Sequence, residues 1–373
     1  MKRRLLIRPE IRCLNAYVPG EQPRGTRLIK LNTNENPYPP SPRVARAIRR
    51  HLGARLRLYP DPVSLRFRER IGRTFGVDPE RVIAGNGSDD LLTMGLRAFA
   101  GEGDLVQFPW PSYSLYPVLA GIQGARVRRV LFSERYELRL EQFDPRAALT
   151  FIANPNAPSG TALTTAFLRR LARRLRGVLI VDEAYADFAR ENALDLARAL
   201  PNVLVTRSLS KSYALAGMRL GFALGSRELI GAMFKVKDSY NLDQLAQAAG
   251  EAAFADAAWH RRGVRRIVRT REAFRAALEE RGWEVLPSEA NFVFARPPGG
   301  AAEEWFLALK KRGVLVRWFA ARETRERLRI TIGTEREMRA VLRALDISRS
   351  GRGSHANGVF RRIGMETGMP IQA

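Results

Sequence analysis

A chain of 373 residues with 45% apolar and 27% charged side chains has the make-up of a globular protein large enough for two domains. One cysteine, Cys13, rules out an intrachain disulfide and suits a reducing compartment; three histidines leave no His/Cys metal set, and no run reaches the ~18 apolar residues of a membrane span. The formal net charge of +25 comes from arginines spread along the whole length, so it reads as an arginine-rich surface with no specific nucleic-acid role. The basic start Met1-Lys2-Arg3-Arg4 meets only Leu5-Leu6-Ile7 before Arg8-Pro9, which is no signal peptide, and a cytoplasmic enzyme is the expectation.

Residues 1–30 form a weakly patterned arm containing Tyr17. Leu31-Asn32-Thr33-Asn34-Glu35-Asn36-Pro37-Tyr38-Pro39-Pro40 is too polar and proline-rich for a central strand, and Ser41-Pro42 opens a helix reaching His51. Leu58-Tyr59-Pro60-Asp61-Pro62 is a second rigid loop, before a helix through Phe75. Residues 81–85 read as a strand, followed by Asn86-Gly87-Ser88-Asp89-Asp90 and an apolar helix over 91–100. Strand, glycine turn and helix start make an anion site, although Ser88 or Asp89 serves equally well as an ordinary N-cap. A strand at 105–108 leads into the aromatic loop Pro109-Trp110-Pro111-Ser112-Tyr113-Ser114-Leu115-Tyr116, where a ring such as Tyr113 either stacks on a flat ligand or packs the core.

The next strand, 149–153, runs into Asn154-Pro155-Asn156-Ala157-Pro158-Ser159-Gly160. Over 167–176, residues 167, 168, 171 and 175 share one helical face and the arginines take the other. Val178-Leu179-Ile180-Val181 ends in Asp182, at the carboxyl end of a buried strand where α/β ligands bind. Strands at 203–205 and 220–224 enclose Thr206-Arg207-Ser208-Leu209-Ser210-Lys211, with Arg219 eight residues on. Alternating buried strands and amphipathic helices over 75–230 predict an α/β fold with a doubly wound, mostly parallel sheet. From about 256 the pattern changes to a long helix ending at Gly282, strands at 284–286 and 291–295, a helix at 303–312, and strands at 314–319 and 328–332. That is a smaller α+β domain. Arg317 and Arg329 lie on its last two strands, and an arginine on an inward-facing strand position calls for an anion. The expected division is an arm over 1–37, a large domain over 38–255, a small one over 256–347 and a disordered tail over 348–373.

A lone lysine in a polar turn is usually solvated. Lys211, however, follows a buried strand, with hydroxyls and Arg219 to hold a phosphate and a strand-end acid nearby. A desolvated lysine bonds an aldehyde, and the acid at Asp182 pairs with a pyridinium nitrogen, so the set points to pyridoxal phosphate. Tyr185 reaches the ring's 3′ oxygen, Ser88, Asp89, Ser208 and Arg219 the phosphate, and Tyr113 the ring face.

In these motifs, and in Val181-Asp182-Glu183-Ala184-Tyr185, Lys235-Val236-Lys237-Asp238-Ser239-Tyr240-Asn241, Asn291 and Leu328-Arg329-Ile330-Thr331-Ile332-Gly333-Thr334, the chain resembles the fold-type I, pyridoxal-phosphate-dependent aminotransferases. The resemblance covers about residues 10–346 and is strongest to the histidinol-phosphate aminotransferase branch. It implies a homodimer with shared active sites, each completed by a partner tyrosine matching Tyr59. It also implies a ping-pong exchange in which glutamate donates the amino group and imidazole-acetol phosphate accepts it. Lys211 then carries the proton shift, Arg317 and Arg329 bind the substrate's phosphate or glutamate's carboxylates, and Tyr17 and Asn36 lie near the substrate. One departure stands out: the family usually has Asn before Pro-Thr-Gly, donating to the 3′ oxygen, and here Ala157 precedes Pro158-Ser159-Gly160. Either Tyr185 serves that oxygen alone or Asn156 turns inward. A threonine-phosphate decarboxylase or an aromatic amino acid aminotransferase would use nearly the same scaffold.

Overall fold

The computed structural model describes residues 6–14, 20–22 and 28–353; Tyr17 and the tail beyond 353 lie outside the described residues. Among the described residues, thirteen strands fall into three sheets. The short β1 (Ile29–Lys30) comes first, followed by the strands of the main sheet: β2 (Val82–Gly85), β3 (Leu105–Trp110), β4 (Arg126–Leu131), β5 (Leu149–Ala153), β6 (Val178–Asp182), β7 (Val203–Ser208) and β8 (Gly221–Leu224). Their order is β2-β8-β7-β6-β5-β3-β4. Only β8 runs against its neighbours; β7, β6, β5, β3 and β4 pair in parallel.

Both faces of this sheet are covered, and alternation along each strand shows it. Leu179 and Val181 of β6 pack in one core with Phe67, Leu168, Leu171 and Phe254, while Ile180 packs in the other with Leu91, Leu92, Tyr116 and Met233. Val203 and Val205 of β7 join the first core and Leu204 the second. Such two-sided burial is what continuous apolar strands require. The doubly wound, mostly parallel α/β sheet expected from the sequence is therefore present. The carboxyl ends of β2, β3, β5, β6 and β7 then open on one edge, where their loops collect.

A third core surrounds a four-stranded antiparallel sheet built from β9 (Glu284–Val285), β10 (Phe292–Arg296), β12 (Arg317–Trp318) and β13 (Leu328–Thr331), in the order β12-β13-β10-β9. The helix Ala257–Glu279 contributes Ile267, Phe274 and Leu278 to it. The single strand expected at 314–319 is two strands. β11 (Val314–Leu315) pairs in parallel with β1, whereas β12 pairs with β13, so the chain changes partners at Val316. Leu31 packs in this third core and ties the arm to it. The helix Glu335–Gly353 runs past Ser348, where the tail was expected to start.

Candidate active site

Lys211 lies in the loop that follows β7, below the solvent edge. Its Nζ donates to the main-chain oxygen of Thr33 at 3.3 Å. Burial, with Arg329 and Arg219 adding positive charge nearby, brings its amine down from 10.5 to about 8. An amine with that pKa is partly neutral near physiological pH and able to act as a nucleophile. Asn36 anchors the loop, its Nδ2 donating to the carbonyls of Lys211 (2.9 Å) and Ser212 (3.1 Å). With these bonds the Asn36 amide holds the backbone that carries the lysine.

Asp182 closes β6, and burial lifts its acid to about 6. Three neutral donors oppose that rise: the Tyr116 hydroxyl at 2.9 Å, the Ala184 N–H at 3.3 Å and the Thr206 hydroxyl at 3.5 Å. Tyr185 follows three residues later, its hydroxyl accepting from Asn34 Nδ2 at 2.9 Å. Burial raises its phenol, while Arg329 nearby acts in the opposite direction. Under these groups runs a buried charge cluster. Arg207 donates to Glu183 and Asp187, each at 2.7 Å, and Asp187 also accepts from Ser212. The loop carrying Asp182 and Tyr185 is thereby tied to the loop carrying Lys211.

Beside them lies an anion cradle. The helix Ser88–Phe99 begins right after Gly87, which holds φ +83°. A side chain on Gly87 would come within 2.7 Å of Arg219 Nη2, and one on Gly221 within 2.9 Å of the Ser88 nitrogen, so this approach is open only to glycine. Arg219 reaches Asp89 at 3.3 Å and Ser210 Oγ at 3.4 Å, and Tyr113 donates to Asp89 at 3.0 Å. Because the Asp89 carboxylate is held by these donors, what this residue offers an anion is its main-chain N–H at the helix start. Ser208 accepts from the Ser210 N–H and shapes the turn between β7 and Lys211.

A family model described as aminotransferase class I and II matches residues 26–345. The chain is 50% identical to the histidinol-phosphate aminotransferase of Syntrophotalea carbinolica over 91% of its own length and 98% of that protein's. With the enzyme of the same name from Geobacter sulfurreducens it shares 49% identity, over 91% and 99%. The histidinol-phosphate aminotransferase of Sinorhizobium meliloti, solved with pyridoxal-5′-phosphate, shares its fold with a TM-score of 0.83 at 24% identity, over 94% of this chain and 99% of that one. The chain belongs to the histidinol-phosphate aminotransferases.

For a member of that family, the two arginines of the second sheet are placed informatively. Arg317 and Arg329 are direct cross-strand partners on β12 and β13, and both guanidinium groups lie over the Phe319 ring, at 5.2 and 5.4 Å. Arg329 also donates to the Asn32 carbonyl at 3.0 Å and bears electrostatically on Lys211 and Tyr185, which places it at the lysine pocket. Tyr59 stands outward, 80% exposed and stacked on Tyr240 at 4.4 Å. Asn156 does not turn to the site. Its amide donates to the Pro111 carbonyl and Ser159 Oγ and its oxygen accepts from Ser112, so it braces two proline loops. Tyr17 falls outside the described residues.

Sequence reasoning missed Asn34 and Tyr116. Asn34 links Tyr185 to Thr331 at 3.0 Å and accepts from Asn291 at 3.0 Å on its main-chain oxygen, joining the two sheets at the site. Its φ of +56°, a region asparagine tolerates better than most side chains, belongs to the folded chain and cannot be read from the sequence. Tyr116 gave no signal either, being indistinguishable in sequence from a packing aromatic.

Proposed function

We propose that this chain transfers an amino group from glutamate to imidazole-acetol phosphate, giving histidinol phosphate and 2-oxoglutarate, with pyridoxal 5′-phosphate as cofactor. The observation that carries the reading is the Arg317–Arg329 pair. The two guanidinium groups face each other on adjacent strands and share the Phe319 ring, and Arg329 bears on the lysine pocket. Two guanidinium forks suit a dianionic phosphate in one half-reaction and carboxylates in the other.

The donor set fits the cofactor. The cradle that only glycine permits at Gly87 and Gly221, with Ser88, the Asp89 N–H, Ser208 and Arg219, would hold its phosphate, and Tyr113 its ring face. Lys211 would hold the aldehyde, Asp182 the ring nitrogen and Tyr185 the 3′ oxygen. When bound, the cofactor supplies an electron sink for bond cleavage at the substrate's α-carbon. Lys211, with its amine near 8, takes the proton from that carbon and returns it as general base and acid. Asp182 stabilises positive charge at the floor of the site, and Asn36 keeps the lysine aimed.

We also infer a homodimer in the cytoplasm, with Tyr59 completing the partner's site. Leu52, Leu56, Leu58, Tyr59 and Leu65 form an exposed apolar stretch of the kind that a second copy covers. No helix among the described residues is long and apolar enough to cross a membrane. The main-sheet cores fall within 38–255 and the third core draws mainly on 256–347 with Leu31 and Phe188, which supports a large domain over 38–255, a small one over 256–347 and an arm over 1–37 packed on the small one. The test loads the enzyme with the cofactor, converts it with glutamate, and then offers a panel of acceptors. Imidazole-acetol phosphate should be aminated fastest. Preference for phenylpyruvate would support an aromatic aminotransferase, and carbon dioxide release from threonine phosphate would support a decarboxylase.

A further inference from the structure

Asp182 is a buried carboxylate with no cation holding it. Among the described residues no lysine, arginine or histidine pairs with it, and the nearby Asp89 carboxylate works against its charge. Its ionisation therefore rests on the three neutral donors. The Tyr116 hydroxyl is the nearest of these, at 2.9 Å from Oδ2; Ala184 N–H and Thr206 Oγ1 both serve Oδ1. A carboxylate out of water needs such donors, and each one lost favours the neutral acid.

Tyr116 is built to stay in that role. It has no exposed surface and stacks on Phe151 at 4.9 Å and 5°. Phe108 at 5.8 Å and Tyr113, edge-on at 5.6 Å, close the other sides, so the ring has one orientation. Burial and the Asp182 charge push its phenol well above 10, so it remains a donor at any working pH. Besides Tyr116 and Asp89, the Tyr185 phenol is electrostatically coupled to Asp182, and it too is raised by burial and stays neutral.

We propose that Tyr116 is a positioning residue that fixes the Asp182 carboxylate in one orientation and keeps it anionic, so that it meets the cofactor's ring nitrogen already charged. This rests on the cofactor reading above. Through its contact with Tyr113, which donates to Asp89 beside Arg219, the same ring also joins the nitrogen end of the site to the phosphate end.

The test is Tyr116→Phe, which keeps the ring and removes one oxygen. Cofactor-free protein is titrated with pyridoxal phosphate between pH 6 and 9 by absorbance, and kcat/KM is followed over the same range. Losing a hydrogen bond to a charged group should weaken cofactor binding about 10- to 100-fold at pH 7. The acid limb of both profiles should move to higher pH, because Asp182 now protonates earlier. In an Asp182→Asn background, adding Tyr116→Phe should leave cofactor affinity unchanged, and Thr206→Val, which removes the longer bond, should shift the acid limb less than Tyr116→Phe does. An unmoved acid limb, a loss of equal size at every pH, or the same loss in the Asp182→Asn background would overturn the proposal. Wild-type protein that fails to bind pyridoxal phosphate would instead sink the cofactor reading.

Discussion

Replacing Arg317 with alanine tests phosphate recognition, because comparing a phosphorylated with an unphosphorylated substrate against the same acceptor cancels any effect on carboxylate binding. Arg317 is half-buried, faces Arg329 directly across the strand pair and shares the Phe319 ring with it. Its removal takes away one of two guanidinium forks and leaves Lys211, Asp182 and the anion cradle intact. Lost hydrogen bonding to a charged group costs about 1.5–3 kcal/mol, which is roughly 10- to 150-fold in kcat/KM for a phosphorylated substrate. Histidinol, which lacks the phosphate, should lose less than about threefold, the scale left for a fork with no dianion to hold. Folding should change little, since like charges across a strand pair cost only ~0.2–1 kcal/mol. The assay compares histidinol phosphate with histidinol, using 2-oxoglutarate as acceptor, for wild type and Arg317→Ala. Discrimination between the two compounds should collapse in the variant. If the variant loses equally on both, or if wild type does not discriminate, Arg317 is not a phosphate ligand.

Other outcomes follow from the same geometry. Lys211→Met should abolish turnover and the absorbance of lysine-bound cofactor. It should also flatten a pH effect in cofactor-free protein: the folded amine releases its proton near 8 and the unfolded one near 10.5, so the unfolded state holds more protons between them. Wild-type stability therefore rises with pH through that window by up to about 3 kcal/mol, measured by urea unfolding. Asp182→Asn should cut kcat by ~10⁴-fold, the scale seen for another orienting acid. The same change should stabilise cofactor-free protein at pH 7, because the folded acid keeps its proton up to about 6 and its charge above that pH opposes folding. Asn34→Ala forces a side chain without a polar group into φ +56° and orphans Tyr185 and Thr331, so a stability loss of about 2–4 kcal/mol in urea is expected.

Strands buried on both faces were legible because their apolar runs have only one use. β5, β6 and β7 could hardly be read otherwise, and an acid ending such a run marks the carboxyl edge where Asp182 stands. β4 escaped because it lies at the sheet's edge and reads Arg-Val-Arg-Arg-Val-Leu; charge there protects the edge from pairing and hides the strand from a search for buried runs. The break at Val316 escaped for a different reason: alternation fixes which face a residue takes, but not which neighbour its strand pairs with.

At the site no single residue was readable by itself. A lysine in a polar turn and a glycine turn before a helix each have ordinary uses, and the expectation came from several such weak signals agreeing in chain order and chemistry. Contacts between residues far apart in the chain were not readable. Asn34 meets Thr331 across 297 positions and Tyr116 meets Asp182 across 66, and neither pairing leaves a local pattern. Asn156 shows the converse. Its type and place suited the cofactor, but an amide has a fixed number of hydrogen bonds, and here they go to Pro111, Ser159 and Ser112. On the proposed cofactor reading, with Ala157 unable to donate, Tyr185 would be left as the hydroxyl for the 3′ oxygen, and Asn34 holds that hydroxyl in place. On that reading Asn34, through Tyr185, would take over part of the task expected of the missing asparagine.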